Sequence, residues 1–180
     1  MVARITAVAV LMLSLSAPAF AADSSNYQLF KKVESQVLKY PFFSIFDSVH
    51  AQVDNGVVEL TGKVTMPYKK NAIAERVMKV EGVTRVNNRI DVLPVSQFDD
   101  ELRVRIARAI YSNSNFYGYG SRANPPIHVI VERGRVTLEG VVNNDVDRRI
   151  AQSIASTFQS FKFTNALKTI EEARQELERL

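Results

Sequence analysis

Two stretches of this chain alternate apolar and polar residues with a period of two, which is typical of β-strands that bury one face. The first covers residues 49–64 and reads VHAQVDNGVVELTGKV; the second covers residues 127–142 and reads IHVIVERGRVTLEGVV. The second stretch repeats the first 78 positions later, and the repeat also superposes His128 on His50, the two histidines of the sequence. The pattern therefore predicts the same pair of strands twice.

A tight turn divides each stretch into two strands. Asn55-Gly56 favours a two-residue type I′ turn, because both central residues of that turn need a positive φ. Arg133-Gly134 takes the same place in the second copy. The predicted register places Val53 opposite Val58, Ala51 opposite Leu60 and Val49 opposite Gly62, and in the second copy Val131 opposite Val136, Val129 opposite Leu138 and Ile127 opposite Gly140. The outward residues, including His50, Gln52, Glu59 and Lys63, are expected to be largely exposed.

Apolar residues spaced by three or four positions flank both hairpins, as in helices with one buried face. The stripes are Leu29, Val33 and Val37; Ile73, Val77 and Val80; Leu102, Ile106 and Ile110; and Ile150, Ile154 and Phe158. The first helix is predicted over Tyr27–Lys39, after a capping box that begins at Ser25. A third alternating segment follows the second helix of each copy, over 86–92 and 161–167. The sequence therefore predicts an α+β fold of two tandem αββαβ units, over residues 25–93 and 98–168.

Residues 169–180 continue beyond the second unit and are predicted to form a C-terminal amphipathic helix. Thr169 and Glu172 have the spacing of a capping box. The apolar stripe of this helix is narrow and consists of Ile170, Ala173, Leu177 and Leu180. So short a helix is marginal in isolation, so it is expected to dock on the protein or on a partner.

Residues 1–21 have the layout of a secretory signal peptide. Arg4 supplies the charged start, and the apolar run from Ile5 to Leu15 is shorter than the roughly 20 residues that span a bilayer. Ala19-Phe20-Ala21 supplies the small residues of a cleavage site. We expect an exported, periplasmic protein that is cleaved after Ala21, with a retained N-terminal anchor as the alternative.

Composition narrows the chemistry. The chain has a formal charge of +4 and no cysteine, which excludes disulfides, thiolate metal sites and cysteine catalysis. The charge is too modest to indicate nucleic acid by itself. No catalytic constellation and no converging metal ligands are evident, so neither a metal nor another cofactor is expected. The two histidines are interpreted as structural or surface residues, with a ligand role as the alternative.

Asn88 and Asn165 occupy equivalent inward positions on the two third strands. A buried amide must be hydrogen-bonded. We expect each to satisfy backbone groups near Gly62 or Gly140, with a ligand-binding role as the alternative. The residues assigned to structural turns and core are Asn55, Gly56, Gly62, Gly134, Gly140, Asn88 and Asn165.

Equivalent loops before the two hairpins are rich in aromatic residues, and basic residues flank two of the helices. The aromatic residues suit either the open end of a small core or a boundary between apolar and wet regions. The basic residues suit either a solvated helix face or an anionic membrane. The candidates for membrane binding are Lys69, Lys70, Arg76, Lys79, Phe43, Tyr117, Tyr119, Arg105 and Arg108.

The repeated hairpin motif V-x-V-x-x-G-x-V-x-L-x-G-x-V within tandem αββαβ units resembles the BON domain family, and the chain is similar to the periplasmic, osmotically inducible members with two such domains. In the first unit Ala74, Gly82-Val83, Val86, Asn88 and Val92 also fit the family pattern.

The resemblance implies a mixed three-stranded sheet in each unit with two helices on one face. It also implies an exported, non-enzymatic protein linked to envelope or osmotic stress that binds anionic phospholipid or the envelope surface weakly. The alternative is a periplasmic protein–protein adaptor or stress chaperone, and an enzyme is the third hypothesis.

Overall fold

The structure, a computed structural model, describes residues 19–177, with side chains from residue 25 onward. The signal-peptide interpretation falls almost wholly on residues 1–18, outside the described part. In the first unit the elements are α1 (Ala19–Leu38), β1 (Ser48–Asp54), β2 (Val57–Val64), α2 (Pro67–Met78) and β3 (Arg85–Val92). In the second unit they are α3 (Gln97–Tyr111), a 3₁₀ turn (Ser114–Phe116), α4 (Tyr117–Gly120), β4 (Ile127–Glu132), β5 (Arg135–Val142), α5 (Asp145–Ser156) and β6 (Lys162–Thr169), and α6 (Ile170–Leu177) follows.

Each unit contains one mixed sheet of three strands. The orders are β1-β2-β3 and β4-β5-β6; each hairpin is antiparallel, and the third strand lies parallel to the second. The predicted register is confirmed in both hairpins, with Val53 opposite Val58 and Val131 opposite Val136. The α+β fold with two tandem αββαβ units is therefore confirmed.

Two cores lie between the helices and the sheets. The predicted stripes of α1 and α3 are buried, as are Ile73 and Val77 of α2. On α5 the prediction was wrong in detail: the buried residues are Ala151 and Ala155, whereas Ile150 and Ile154 are only partly buried. Small alanines let this helix approach the sheet closely, so that its larger apolar side chains lie at the edge of the core.

Two predicted element boundaries also differ from the structure. Helix α1 begins at Ala19, so the capping box at Ser25 does not start it. Alanine favours helix, and no breaker separates Ala19 from Tyr27. Phe161 precedes β6 instead of lying on it and is 87% exposed. At the C-terminus, Thr169 and Glu172 do form the predicted capping box, with both reciprocal hydrogen bonds.

The loop between α1 and β1 of the first unit also contacts the second unit. The carbonyl of Ile45 accepts a hydrogen bond from Val129 N at 2.8 Å, and the side chains of Ile45 and Phe46 pack against the core of the second unit. Nearby, Lys63 pairs with Glu132 across the contact. Lys63 is therefore only partly exposed, which corrects the expectation for this outward position.

The other outward residues of the first hairpin differ in how exposed they are. His50 and Gln52 are exposed, as predicted. Glu59 is only partly exposed and forms an ion pair with Arg89 of the neighbouring strand at 3.3 Å. The outward face is therefore less open than its alternation indicates, because long charged side chains pair across it.

Candidate functional site

The predicted turn residues have the backbone geometry that the turn requires. The φ angles are +47° at Asn55 and +81° at Gly56, and +52° at Arg133 and +71° at Gly134. Only glycine and a few polar residues adopt this region at little cost. These residues therefore shape the hairpins.

The two glycines within the hairpins are needed for a close approach of two strands. A Cβ atom on Gly62 would lie 2.2 Å from the carbonyl oxygen of Ser48, and one on Gly140 would lie 1.9 Å from that of Pro126. No side chain fits at such distances. Both glycines are therefore structural.

Asn88 and Asn165 connect the third strand of each unit to the second helix. Asn88 Nδ2 donates to the carbonyl of Lys70 at 3.0 Å, and its Oδ1 accepts from Ile90 N. Asn165 repeats this arrangement with the carbonyl of Arg148 and with the backbone N–H of the residue two positions later. The Oδ1 bonds satisfy backbone groups beside Gly62 and Gly140, as expected, because Ile90 and Leu167 lie opposite these glycines in the sheets. The Nδ2 groups bond to the helix instead, and both bonds are consistent with the structural interpretation of the two residues.

The histidines lie at the contact between the units. His50 Nε2 is 2.9 Å from a carboxylate oxygen of Glu139. His128 is partly buried beside the Phe43 ring, 2.6 Å from the carbonyl oxygen of Asp47, and burial lowers its pKa despite that hydrogen bond. Within the described residues no group of three His, Cys, Asp or Glu side chains is arranged to hold a metal.

Lys69 does not lie on the surface, which corrects its assignment as a membrane-binding candidate. It is buried, and its Nζ donates to Asp47 at 2.7 Å and to Thr65 Oγ1 at 2.8 Å. Burial of Asp47 raises its pKa, but hydrogen bonds from Lys69, Thr65 and Ser44 outweigh this effect and hold the pKa below its usual value. A cation committed to a buried partner cannot reach a lipid phosphate.

Tyr119 is a second candidate that the structure places inside. Its hydroxyl donates to Asp147 at 2.6 Å and accepts from Asn143 N at 2.7 Å. Burial and the bond to Asp147 raise the pKa of Tyr119 to about 12. Phe43 is partly buried against His128, at the contact between the units. Of the three aromatic candidates only Tyr117 is free to meet a partner, with 73% of its surface exposed.

A basic groove of about 530 Å³ separates α1 from α2 and includes two of the predicted residues. Its cations are Lys32, Lys39, Arg76 and Lys79, against one acidic residue, Glu81. The guanidinium of Arg76 lies 5.8 Å from the centre of the Tyr40 ring, which holds it at the groove wall. Lys70, the remaining candidate of the first unit, is partly exposed on α2.

Two exposed aromatic side chains form a cluster with Tyr40, whose ring contacts Arg76 of the groove, and we call this cluster the aromatic rim. Phe42 is 61% exposed and Tyr68 is 54% exposed, and their ring centres are 6.2 Å apart. Phe42 also contacts the Tyr40 ring, at 5.8 Å. Sequence reasoning noted the aromatic loop that contains Phe42 but not Tyr68, and it missed Lys32 and Lys39. A helical projection of α1 shows these two lysines outside the buried stripe, which was the available signal.

The equivalent surface of the second unit has a different character. Arg105 covers the Phe158 ring at 5.4 Å, and Arg108 is exposed. At the positions that repeat Arg76 and Lys79, 78 residues later, the second unit has Ile154 and Thr157. The groove residues Arg76 and Lys79 of the first unit therefore have no basic counterparts at the equivalent positions of the second unit.

Known proteins similar to this chain include two solved structures of low similarity. No curated protein matches the chain. Two solved structures to which it is similar are of CdsD, a structural protein of the type III secretion system of Chlamydia trachomatis. One match has 14% identity and a TM-score of 0.30 and covers 87% of this chain and 68% of that chain. The other, the C-terminal domain, has 14% identity and a TM-score of 0.31 and covers 78% and 66%.

The described residues include no helix long and apolar enough to cross a membrane. The sequence profile of the BON domain matches the chain twice, over residues 28–94 and 99–162. These two stretches contain the whole first sheet and both strands of the second hairpin, and they make up most of the chain. The chain therefore belongs to the BON domain family, as a tandem of two domains.

Proposed function

We propose that this protein is exported to the periplasm and binds anionic phospholipid surfaces weakly and reversibly, without catalysis, in a role linked to envelope or osmotic stress. The observation that carries the proposal is the basic groove between α1 and α2 with its aromatic rim. The signal-like residues 1–21 and the association of BON domains with phospholipid surfaces support the same location and partner.

The groove suits a phosphate-bearing headgroup. Four cations face one carboxylate there, and the single ion pair, between Lys32 and Glu81, is long at 3.7 Å. A basic side chain near an anionic membrane contributes about 1 kcal/mol. Such a site gives weak binding that falls with salt, since exposed charges are screened over about 8 Å at physiological ionic strength.

The rim adds a contact that salt does not screen. Phe42 and Tyr68 are exposed, and aromatic rings favour the boundary between headgroups and acyl chains. A surface that combines exposed rings and cations meets a membrane interface with both of its chemical components. Tyr117 of the second unit is a further exposed ring, whose contribution remains a proposal.

Vesicle co-sedimentation of the mature chain tests this function. Vesicles of phosphatidylglycerol and phosphatidylcholine should bind the protein better than pure phosphatidylcholine, and binding should weaken clearly as salt rises. Phe42→Ser with Tyr68→Ser should weaken binding at every salt concentration. Soluble glycerol phosphate, which offers the charge without the surface, should compete poorly. Equal binding to both vesicle types, or to neither, contradicts the proposal.

A further inference from the structure

The first strand of the first unit has an unpaired edge. In a two-residue hairpin, alternate residues direct their backbone groups away from the partner strand, and in β1 these are Val49, Ala51 and Val53. Among the residues that the structure describes, none forms a hydrogen bond with the backbone groups of these three. Their side chains are only partly buried. Such an edge is a template for another strand.

The equivalent edge of the second unit has a hydrogen-bond partner at each of its three outward residues. Tyr111 Oη donates to the carbonyl of Ile127 at 2.7 Å and accepts from its N–H at 3.0 Å. The carbonyl of Ile45 accepts from Val129 N, and Arg103 Nη2 donates to the carbonyl of Val131 at 2.9 Å. All three strand residues are fully buried.

Two residue differences between α1 and α3 explain why the edge of β1 is open and that of β4 is capped. Helix α3 repeats α1 73 positions later, so that Arg103 and Tyr111 stand where α1 has Phe30 and Leu38. Both α1 residues are apolar and cannot bond to a strand edge. Both are also partly exposed, with Leu38 at 36%. The first unit therefore offers open backbone groups beside apolar side chains, where the second unit has polar caps.

We propose that the edge of β1 binds an extended apolar segment of a partner protein, which adds to the sheet as a fourth strand. The chain itself shows what chemistry fits such an edge. The segment around Ile45 bonds to the edge of β4 and places Ile45 and Phe46 on the core of the second unit. Ile45 and Phe46 lie in a turn that makes one backbone hydrogen bond with β4, so they show the fitting side-chain chemistry and not the strand pairing. An extended partner segment with an aliphatic and an aromatic residue near one another would cover Val49, Ala51 and Val53 and pair with their outward backbone groups.

A synthetic peptide with the sequence of residues 40–48, YPFFSIFDS, is the probe. Titrated into the mature chain without lipid, it should bind one to one and protect the amides of Ala51 and its edge neighbours from hydrogen exchange. Phe30→Arg with Leu38→Tyr installs the caps of the second unit and should weaken binding at least about tenfold, which is about 1.4 kcal/mol. The control Gln52→Ala changes an exposed residue of β1 whose backbone faces β2, and binding should persist.

A third variant keeps the test independent of changes on α1. Ala51→Pro removes an outward N–H, which an edge strand tolerates, and should weaken binding while thermal unfolding shows a folded first unit. Absence of peptide binding, or binding that all three edge substitutions leave unchanged, overturns the proposal. Self-association of the chain that Phe30→Arg with Leu38→Tyr abolishes would assign the edge to a second copy and also overturn it. Because no lipid is present, none of these outcomes bears on phospholipid binding.

Discussion

In each unit, one side chain of the loop before the hairpin is hydrogen-bonded to the start of the second helix. The contact lies at equivalent positions in the two units, but a carboxylate makes it in the first unit and a phenol in the second. In the first unit the Asp47 carboxylate accepts from Thr65 N and from Lys69. In the second unit the Tyr119 hydroxyl accepts from Asn143 N and donates to Asp147. The positions of Thr65 and Lys69 correspond to those of Asn143 and Asp147, 78 residues later.

The comparison shows that the fold fixes the position of this hydrogen-bonded contact, whereas the charge of the side chain that makes it can differ. The backbone N–H that opens the second helix needs an acceptor in both units, because it lies beneath the loop. A carboxylate in that place brings a buried lysine with it, and a phenol does not. Lys69 is therefore part of the first unit's architecture, although its sequence neighbours are surface cations.

The largest expected effect on stability follows from removing that lysine. Lys69→Met leaves the Asp47 carboxylate buried without its counter-charge, which should cost about 3–5 kcal/mol of unfolding free energy. Urea unfolding followed by amide signals of the first unit measures it. Lys70→Met, the same change at a partly exposed neighbour, is the control and should cost far less. Equal losses in both variants would mean that the pair contributes nothing particular.

A smaller loss of stability is expected when the equivalent contact of the second unit, made by Tyr119, is removed. Tyr119→Phe removes a neutral hydroxyl and leaves the Asn143 N–H and one Asp147 oxygen without it, at a cost of about 1–3 kcal/mol. The temperature at which the second unit unfolds should fall accordingly. Tyr117→Phe removes a hydroxyl from an exposed ring and should have no measurable effect. A Tyr119→Phe variant as stable as the control would show that water replaces the hydroxyl without loss.

Acid should weaken the first unit through Asp47, as the smallest of the three effects. Its pKa in the folded protein lies below the value of about 3.9 for an unfolded aspartate. The carboxylate thus stabilises the fold fully above that value, and the contribution is lost as pH falls through the folded pKa. Unfolding free energies measured from pH 6 to 2 should show this loss. In Lys69→Met this acid-induced loss should shrink, because burial without the lysine raises the folded pKa of Asp47 towards or above its unfolded value. Asp91→Asn, an exposed acid, should leave the profile unchanged.

Much of the fold followed from the sequence because local rules agreed there. Alternation with period two and the Asn55-Gly56 turn leave one register that buries a single face, so the pairing of Val53 with Val58 could be predicted. The capping box of Thr169 and Glu172 was readable for the same reason. Both signals involve residues close together in the chain.

The polar interior could not be predicted because its partners are distant in sequence. Asp47 and Lys69 are 22 residues apart, and nothing local marks either of them as buried. Asp99 lies in the first turn of α3, where acidic residues are usually exposed, yet it is buried and accepts from the N–H groups of Arg133 and Gly134 in the hairpin turn. Side chains of this kind are identified only when the tertiary fold places a loop or turn over them.

The candidate site was predicted in part, for a related reason. Arg76 and Lys79 were recognised because they flank the buried stripe of α2, and they do line the groove. Lys32 and Lys39 belong to another helix, and Tyr68 lies across from Phe42 only because the loop after α1 folds back. The groove is thus a product of helix packing, which a single periodic stretch does not reveal.

A charge-matched comparison of the two units tests the central claim, that phospholipid binding belongs to the groove of the first unit. Arg76→Gln with Lys79→Gln and Arg105→Gln with Arg108→Gln each remove two positive charges, but only the first pair lies in the groove. Co-sedimentation with phosphatidylglycerol-containing vesicles at low salt should fall at least about tenfold for the first variant, at about 1 kcal/mol for each cation. The second variant should bind nearly as wild type does. Equal losses would show that net charge alone drives the association, and a loss confined to the second variant would place the site in the other unit; either result contradicts the account.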